Sequence, residues 1–326
     1  MTKRHIVAAV GLVALLAVPL FGPGKYALHL MVMALLWSFI YTSWSIMGRL
    51  GMVSFGHGAF LGIGAYTVVL LWNLWGISPW IGALVALAIT VVVAVMIGYP
   101  CFRFKIVGHY FALTTLALSE VVRLIIVGLR EQTGGSLGIT PKSALSDGVT
   151  ASVGALQFSS KAVWFYLMLG CWLFALYVWH RVDRSMSRMA LEAISEDEDA
   201  AASVGINVNR TKLSITVLSA VMTCLGGVLY AQYQQYVNPE TVSGIGISLQ
   251  MVFGVIAGGM FVMLGPTVGA VFLMLLSEGL RVLIGNEVLG VDITIYGLLL
   301  ILFIIYMPKG ILGTALDRVQ AGGAKR

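Results

Sequence analysis

The chain has 326 residues, of which 59% are hydrophobic and 10% charged, and its mean hydropathy is +0.94. Soluble domains carry about 25% charged and roughly 45–50% apolar residues, so this composition excludes a soluble enzyme, a nucleic-acid binder and a disordered protein. It leaves a polytopic protein of the lipid bilayer, and the net charge of +6 with a pI near 9.3 fits basic loops kept on the cytoplasmic side.

The chain opens Met1-Thr2-Lys3-Arg4-His5, followed by an apolar run from Ile6 to Phe21 that ends in Gly22-Pro23-Gly24-Lys25. No A-x-A cleavage pattern follows the run, so it reads as a retained first span rather than a signal peptide. Segments long and apolar enough to cross the hydrocarbon follow at 27–47, 52–75, 79–101, 108–129, 162–180, 212–235, 246–264, 265–281 and 290–307. The sequence therefore predicts an all-α polytopic membrane protein with about ten transmembrane helices. The glycine-rich spans are expected to be broken or re-entrant, and residues 1–326 to form one transmembrane domain.

With the N-terminus inside, fourteen of the 20 Lys and Arg residues fall on inner segments and five on outer ones, and Arg123 lies within a span. That bias supports cytoplasmic N- and C-termini. Two polar stretches interrupt the apolar pattern: an outer Gly/Ser loop at about 130–161 and an inner loop at about 181–212. The three cysteines, Cys101, Cys171 and Cys224, are far apart in apolar segments and form no CxxC pair, so they read as buried thiols. The aromatic residues read as interfacial belts and packing.

The inner loop is the most informative stretch. Good helix formers lead into Ser195-Glu196-Asp197-Glu198-Asp199, then Ala200-Ala201-Ala202, then Gly205. Ser195 can cap a short helix, the acids then sit at its positive end, and Gly205 can end it in a left-handed turn. Such a helix, with a smooth alanine face, suits docking of a cytoplasmic motor. A solvated loop helix is the plainer alternative.

Elsewhere, Gly48, Gly51, Gly56, Gly58, Gly62 and Gly64 crowd the start of the third span. Small residues let helices approach closely or break inside the protein, exposing backbone groups that can bind a zwitterion. His57 is the titratable group there; either it is a structural histidine bonded to a neighbouring carbonyl or it serves gating or the solute path. Glu120 and Arg123, three apart on the fifth span, form either a structural ion pair or part of a pathway. Glu278 and Arg281 repeat that spacing near a helix end and read as interfacial. No G-x-x-x-x-G-K-[ST] loop, HExxH or CxxC pattern occurs, and the G-x-S-x-G spacing falls only at Gly134 to Gly138 in the outer Gly/Ser loop, so ATP binding of that kind or an embedded enzyme is not expected.

Asp199-Ala200-Ala201 followed by Gly205 and Ile215 resembles the EAA coupling loop of bacterial ABC-importer permeases, with Asp199 where that motif has Glu and without its closing Leu-Pro. Gly51 to Tyr66 resembles the G-x-x-S-F-G-H-G-A-F-x-G-I-G-A-Y block of the LivM-type permeases in the LivH/LivM family of branched-chain amino-acid importers. Gly108 to Ala117 with Glu120, Thr133-Gly134-Gly135 with Gly138-Ile139, Glu196 to Leu213, and Met307-Pro308-Lys309-Gly310-Ile311-Leu312 resemble further blocks of that family, in its order. Departures are Phe261 in place of a third glycine after Gly258-Gly259, and Glu192 and Ser195 where arginines are common.

The resemblance implies a permease subunit of a binding-protein-dependent importer of leucine, isoleucine or valine in the bacterial cytoplasmic (inner) membrane. It implies a homologous LivH-type permease, two cytoplasmic ABC ATPases carrying ATP-Mg, and a periplasmic solute-binding protein as partners. No cofactor or metal is expected on this chain. Glu196, Asp197, Glu198, Asp199, Ala200, Ala201 and Gly205 are the expected ATPase-coupling residues. Gly56, His57, Gly58, Thr114, Glu120, Gly258 and Gly259 are candidates for the substrate path or its gating. Another small solute (a different amino acid, urea, an amide or a carboxylate) or an ion-coupled secondary transporter is the alternative reading.

Overall fold

Lipid offers no hydrogen-bond partner to a backbone N–H or C=O, so apolar runs that enter it fold as helices. The structure, a computed structural model, describes residues 11–145, 151–284, 297–298, 301, 305–306 and 310–314. A short apolar helix α1 (Gly11–Phe21) precedes α2 (Lys25–Gly48), α3 (His57–Trp75), α4 (Pro79–Arg103) and α5 (Gly108–Gly128). A polar segment follows with α6 (Arg130–Thr133) and the antiparallel hairpin β1 (Ala151–Ser152) and β2 (Gln157–Phe158), paired Ala151 to Phe158 and Ser152 to Gln157. Then come α7 (Lys161–Arg184), α8 (Met186–Glu196), α9 (Glu198–Ser203), α10 (Val208–Gln234), α11 (Pro239–Val242), α12 (Ile245–Gly258) and α13 (Gly265–Ile284). Among the described residues, eight helical spans are long and apolar enough to cross a membrane, counting α11 and α12 as one interrupted span. The expected first span begins before the described residues, and most of the expected tenth, 290–307, lies outside them.

Helix α2 is the hub. It packs on α7, α10, α12 and α13, and every residue from Ser38 to Gly48 is buried. Its hydroxyls cost little there because they bond back into their own helix: Thr42 to the Ser38 carbonyl at 2.7 Å and Ser43 to the Phe39 carbonyl at 2.8 Å. Helices α3 and α10 press together through reciprocal glycines. A Cβ on Gly64 would sit 2.1 Å from the Cys224 carbonyl oxygen, and one on Gly227 would sit 2.1 Å from the Leu61 carbonyl oxygen. Helices α12 and α13 use the same device, with Gly254, Gly258, Gly265 and Gly269 backbone to backbone. Phe261, the departure at that place, is 67% exposed in the turn between them and leaves this glycine packing intact.

The third span starts later than expected. Residues 49–56 are non-helical, because Gly51 takes φ +72° and the Ser54 carbonyl is held by the Trp44 indole at 2.9 Å. The bundle has two distinct ends. One carries α8 and α9. The other carries the polar segment with the hairpin, bound at the ends of α3 and α4: Trp72 Nε1 donates to the Lys142 carbonyl ahead of the hairpin at 2.8 Å, and Ser78 Oγ to the Gly154 carbonyl within it at 2.6 Å.

Candidate functional site

At the α8–α9 end, Asp197 caps α9, its Oδ1 accepting the N–H of Asp199 at 2.8 Å and of Ala200 at 3.0 Å. This corrects the expectation for Ser195, which lies inside α8 and donates to the Glu192 carbonyl at 2.8 Å. Asp at the cap is an equally good acceptor, and extended backbone at Asp197 (φ −154°) separates two helices where one was expected. Glu196 is the last residue of α8. Helix α9 closes as a Schellman motif, with Ile206 N–H on the Ala201 carbonyl at 3.2 Å and Gly205 N–H on the Ala202 carbonyl at 3.0 Å. Gly205 has φ +90°, a conformation that glycine adopts without strain.

The acids of α9 act as tethers. Asp199 accepts from Lys105 Nζ at 2.7 Å, in the α4–α5 loop, and Glu198 pairs with the buried Lys212 of α10, whose ammonium also lies 5.7 Å from the Phe102 ring centroid. The bond to Asp199 raises Lys105 above the usual lysine range, and the same bond holds Asp199 below the usual carboxylate range. Ala201 faces inward, whereas Ala200, Ala202, Ser203 and Val204 are exposed. Helix α8 is tied down as well. Arg188 bonds Glu192 at 2.8 Å and reaches Asp183, which pairs with Arg49 at the end of α2. Arg49 in turn stacks 4.5 Å from the Trp179 ring centroid. The short helix α9 is thus linked directly to α10 and the α4–α5 loop, and through α8 to α7 and on to the end of α2.

A second cluster lies where α3, α5, α10 and the α11–α12 break meet. Ser119 Oγ donates to the Ser243 carbonyl, freed by the break, at 2.9 Å. Its proton is then used, so Ser248 is the donor in their 3.3 Å contact, and Ser248 Oγ accepts the Gly58 N–H at 3.2 Å. Gly58 and Gly62 make the room: a Cβ would fall 2.6 Å from Ser248 Oγ and 2.7 Å from Ser243 Cβ respectively. His57, fully buried, bonds Ser219 Oγ through Nε2 at 2.7 Å rather than a carbonyl. Ser219 gives its proton to the Ser43 carbonyl at 2.6 Å, so His57 Nε2 is the donor. His57 Nδ1 has no partner among the described residues.

Glu120 and Arg123 form an ion pair, the first of the two readings the sequence left open, with Arg123 Nε 3.0 Å from both carboxylate oxygens. The same guanidinium reaches Glu240 of α11 at 2.6 Å, so the pair also clamps the interrupted span. Thr114 is turned away, its hydroxyl on the Tyr110 carbonyl at 2.8 Å. Its neighbour Thr115 is the one that meets the cluster, accepting the Phe55 N–H at 3.1 Å against Gly56. Gly258 and Gly259 are closed by backbone: a Cβ on Gly258 would lie 1.9 Å from the Gly265 carbonyl oxygen, and Gly310 packs on the Gly259 amide.

Toward the hairpin end, a cavity of about 660 Å³ opens between α2, α12 and α13. Its mouth carries Glu278, Arg281 and His29, its wall the amides of Gln234 and Gln250, and its floor Trp37, Tyr41, Phe253 and Leu273. The sequence pattern joined only Glu278 and Arg281, by their spacing on one span; His29, Gln234 and Gln250 come singly from other spans. Ser119 and Ser219 sit on separate helices, and Ser243, Ser248 and Glu240 in the interrupted α11–α12 span, so sequence spacing does not show that they meet.

Residues 26–307 match the family described as branched-chain amino acid transport system / permease component. The high-affinity branched-chain amino acid transport system permease protein LivM of Escherichia coli (strain K12) is 30% identical over 284 residues, 82% of this chain and 65% of that protein. The chain thus spans about two thirds, just under, of the LivM length. The LivH permease of the same organism is 25% identical over 284 residues, covering 82% of this chain and 88% of LivH. The autoinducer 2 import system permease protein LsrC of Enterobacter sp. (strain 638) is 29% identical over 241 residues, 65% of each chain. No solved structure matches.

Proposed function

We propose that this chain, which belongs to the family of branched-chain amino acid transport system permease components, is a permease subunit of an ABC importer for leucine, isoleucine or valine. It is a multi-pass membrane protein, and in this reading its membrane is the bacterial inner membrane, with the α8–α9 end cytoplasmic. A LivH-type permease stands beside it, two ATPases carrying ATP-Mg dock beneath it, and a periplasmic binding protein delivers solute to the hairpin end.

The observation that carries the reading is α9: a capped helix with exposed Ala200, Ala202 and Val204, anchored by ion pairs to α10 and the α4–α5 loop. A motor surface gripping the alanine face moves α9, and Lys212 and Lys105 pass that displacement into the spans that bear the serine cluster. Alternating access then follows from the interrupted α11–α12 span and the glycine contacts around Gly58 and Gly62, which shift as packed units. An ion-coupled mechanism is less favoured, since Glu120 is committed to Arg123 rather than free to relay a proton.

The test is leucine uptake into vesicles. Vesicles holding the full assembly are expected to accumulate L-leucine with ATP and loaded binding protein, and to stop without ATP. Accumulation by this chain alone, driven by an ion gradient and without nucleotide, contradicts the reading.

A further inference from the structure

The cavity between α2, α12 and α13 is not used by the coupling scheme above. Along α2 it runs from His29 to Tyr41, about 18 Å at about 1.5 Å per residue. Its polarity is graded: opposite charges at the mouth, amides below them, aromatic and aliphatic side chains at the bottom. Polar side chains on membrane helices face a cavity when they have no partner within the bundle. Glu278 is held by the Tyr26 hydroxyl at 2.7 Å, while Arg281 comes only to 3.9 Å of it, beyond hydrogen-bond distance. Among the described residues the guanidinium has no hydrogen-bond partner, which leaves its donors for a planar carboxylate beside a fixed carboxylate acceptor. The amides of Gln234 and Gln250 are likewise free of protein partners among the described residues. The volume falls in the range of small-molecule sites.

We propose that this cavity receives the free amino acid as a zwitterion. Arg281 takes the α-carboxylate in the forked geometry that guanidinium favours, Glu278 takes the α-ammonium, and the branched side chain lies against Trp37, Phe253 and Leu273. The ligand is neutral overall, so it meets a matched pair of charges and adds none to the low-dielectric zone. The proposal rests on the amino-acid reading above and deepens it by naming the groups that recognise the substrate.

The experiment uses the assembled complex in nanodiscs and measures binding of L-leucine without the binding protein, alongside 4-methylpentanoate, which lacks the ammonium, and 3-methylbutylamine, which lacks the carboxylate. The unsubstituted complex is expected to prefer leucine to both. Arg281→Gln and Glu278→Gln are each expected to weaken leucine binding about tenfold or more, the size of effect expected for one lost charge-assisted contact. The advantage of leucine over the amine closes in Arg281→Gln, and its advantage over the acid closes in Glu278→Gln, a crossed pattern that a merely structural role would not produce. Equal binding of the three compounds by the unsubstituted complex, or unchanged leucine binding in both variants, overturns the site. If a charge variant fails to assemble, Gln250→Ala reads the same cavity: weaker leucine binding supports the site and unchanged binding overturns it. ATP-driven leucine uptake by the unsubstituted complex separates the two claims. Uptake with insensitive variants overturns the site alone, and absent uptake overturns the site and the transport reading together.

Discussion

The serine cluster at the α11–α12 break and the tethers of α9 are both polar, yet they are built on opposite principles. In the cluster, short neutral side chains are buried and matched donor to acceptor, and glycine makes the room for them. At the outer tether of α9, long charged side chains meet near water: Lys105 and Asp199 have side chains 69% and 82% exposed, whereas the inner tether holds the buried Lys212. Buried hydrogen bonds are costly to leave unmade, whereas exposed ion pairs are weak and screened by salt. The difference separates a part that holds its shape in lipid from a part that, in the proposed coupling, is gripped and moved.

The largest expected effect falls on the glycine contacts. Gly227→Val places carbon against the Leu61 carbonyl, where even a Cβ comes within 2.1 Å. Overpacking of a tight interior costs about 1–3 kcal/mol, and here the obstacle is backbone with no rotamer to yield. Thermal unfolding in detergent is expected to show a markedly lower Tm or no folded fraction, whereas unchanged stability would show that α3 and α10 do not pack this closely.

Next comes the buried histidine. Ser219→Ala removes the acceptor of His57 Nε2 and also the donor to the Ser43 carbonyl. An unsatisfied buried polar group costs roughly 1–3 kcal/mol, so a Tm lower than that of an exposed control such as Ser203→Ala is expected. Equal stability of the two variants would remove the buried network from the account.

The smallest effect belongs to the exposed tether. Lys105→Gln and Asp199→Asn are expected to leave Tm within error while weakening uptake, and the deficit should shrink as salt rises and screens the unsubstituted pair. The pH window follows from the directions of the shifts. Asp199 is depressed, so its contribution is present above the ordinary carboxylate range and is lost only as pH falls through its lowered value. Lys105 is raised, so its contribution is present below the ordinary lysine range and is lost as pH rises through its raised value. The tether is therefore expected to be insensitive to pH across neutrality, and a transition in Lys105-dependent uptake near neutral pH would contradict the assignment.

The same contrast governs what could be read from the sequence. Spans 79–101 and 108–129 match α4 and α5 closely because those helices are apolar on most sides, and hydropathy alone detects that. Helix α9 was legible because alanines between an acidic cap and Gly205 form a local signal, although Asp197 rather than Ser195 proved to be the cap. The coil at residues 49–56 was hidden inside an apolar run, since a Trp44 bond to the Ser54 carbonyl depends on tertiary placement. A lone serine in a span gives no sign of its partner until the facing helix is located, so the cluster and Glu240 stayed invisible. The Glu278–Arg281 spacing was visible, but the cavity beside it required α2 and α12 to be brought alongside.

If α9 is a handle for a separate ATPase, as proposed, Ala200→Arg removes the grip. Ala200 is exposed, and its side chain contributes neither to the Asp197 cap nor to the Schellman turn. Unchanged Tm, loss of ATPase co-purification and loss of ATP-driven uptake are expected. Retention of both the ATPase and uptake in a normally folded Ala200→Arg protein would contradict that role.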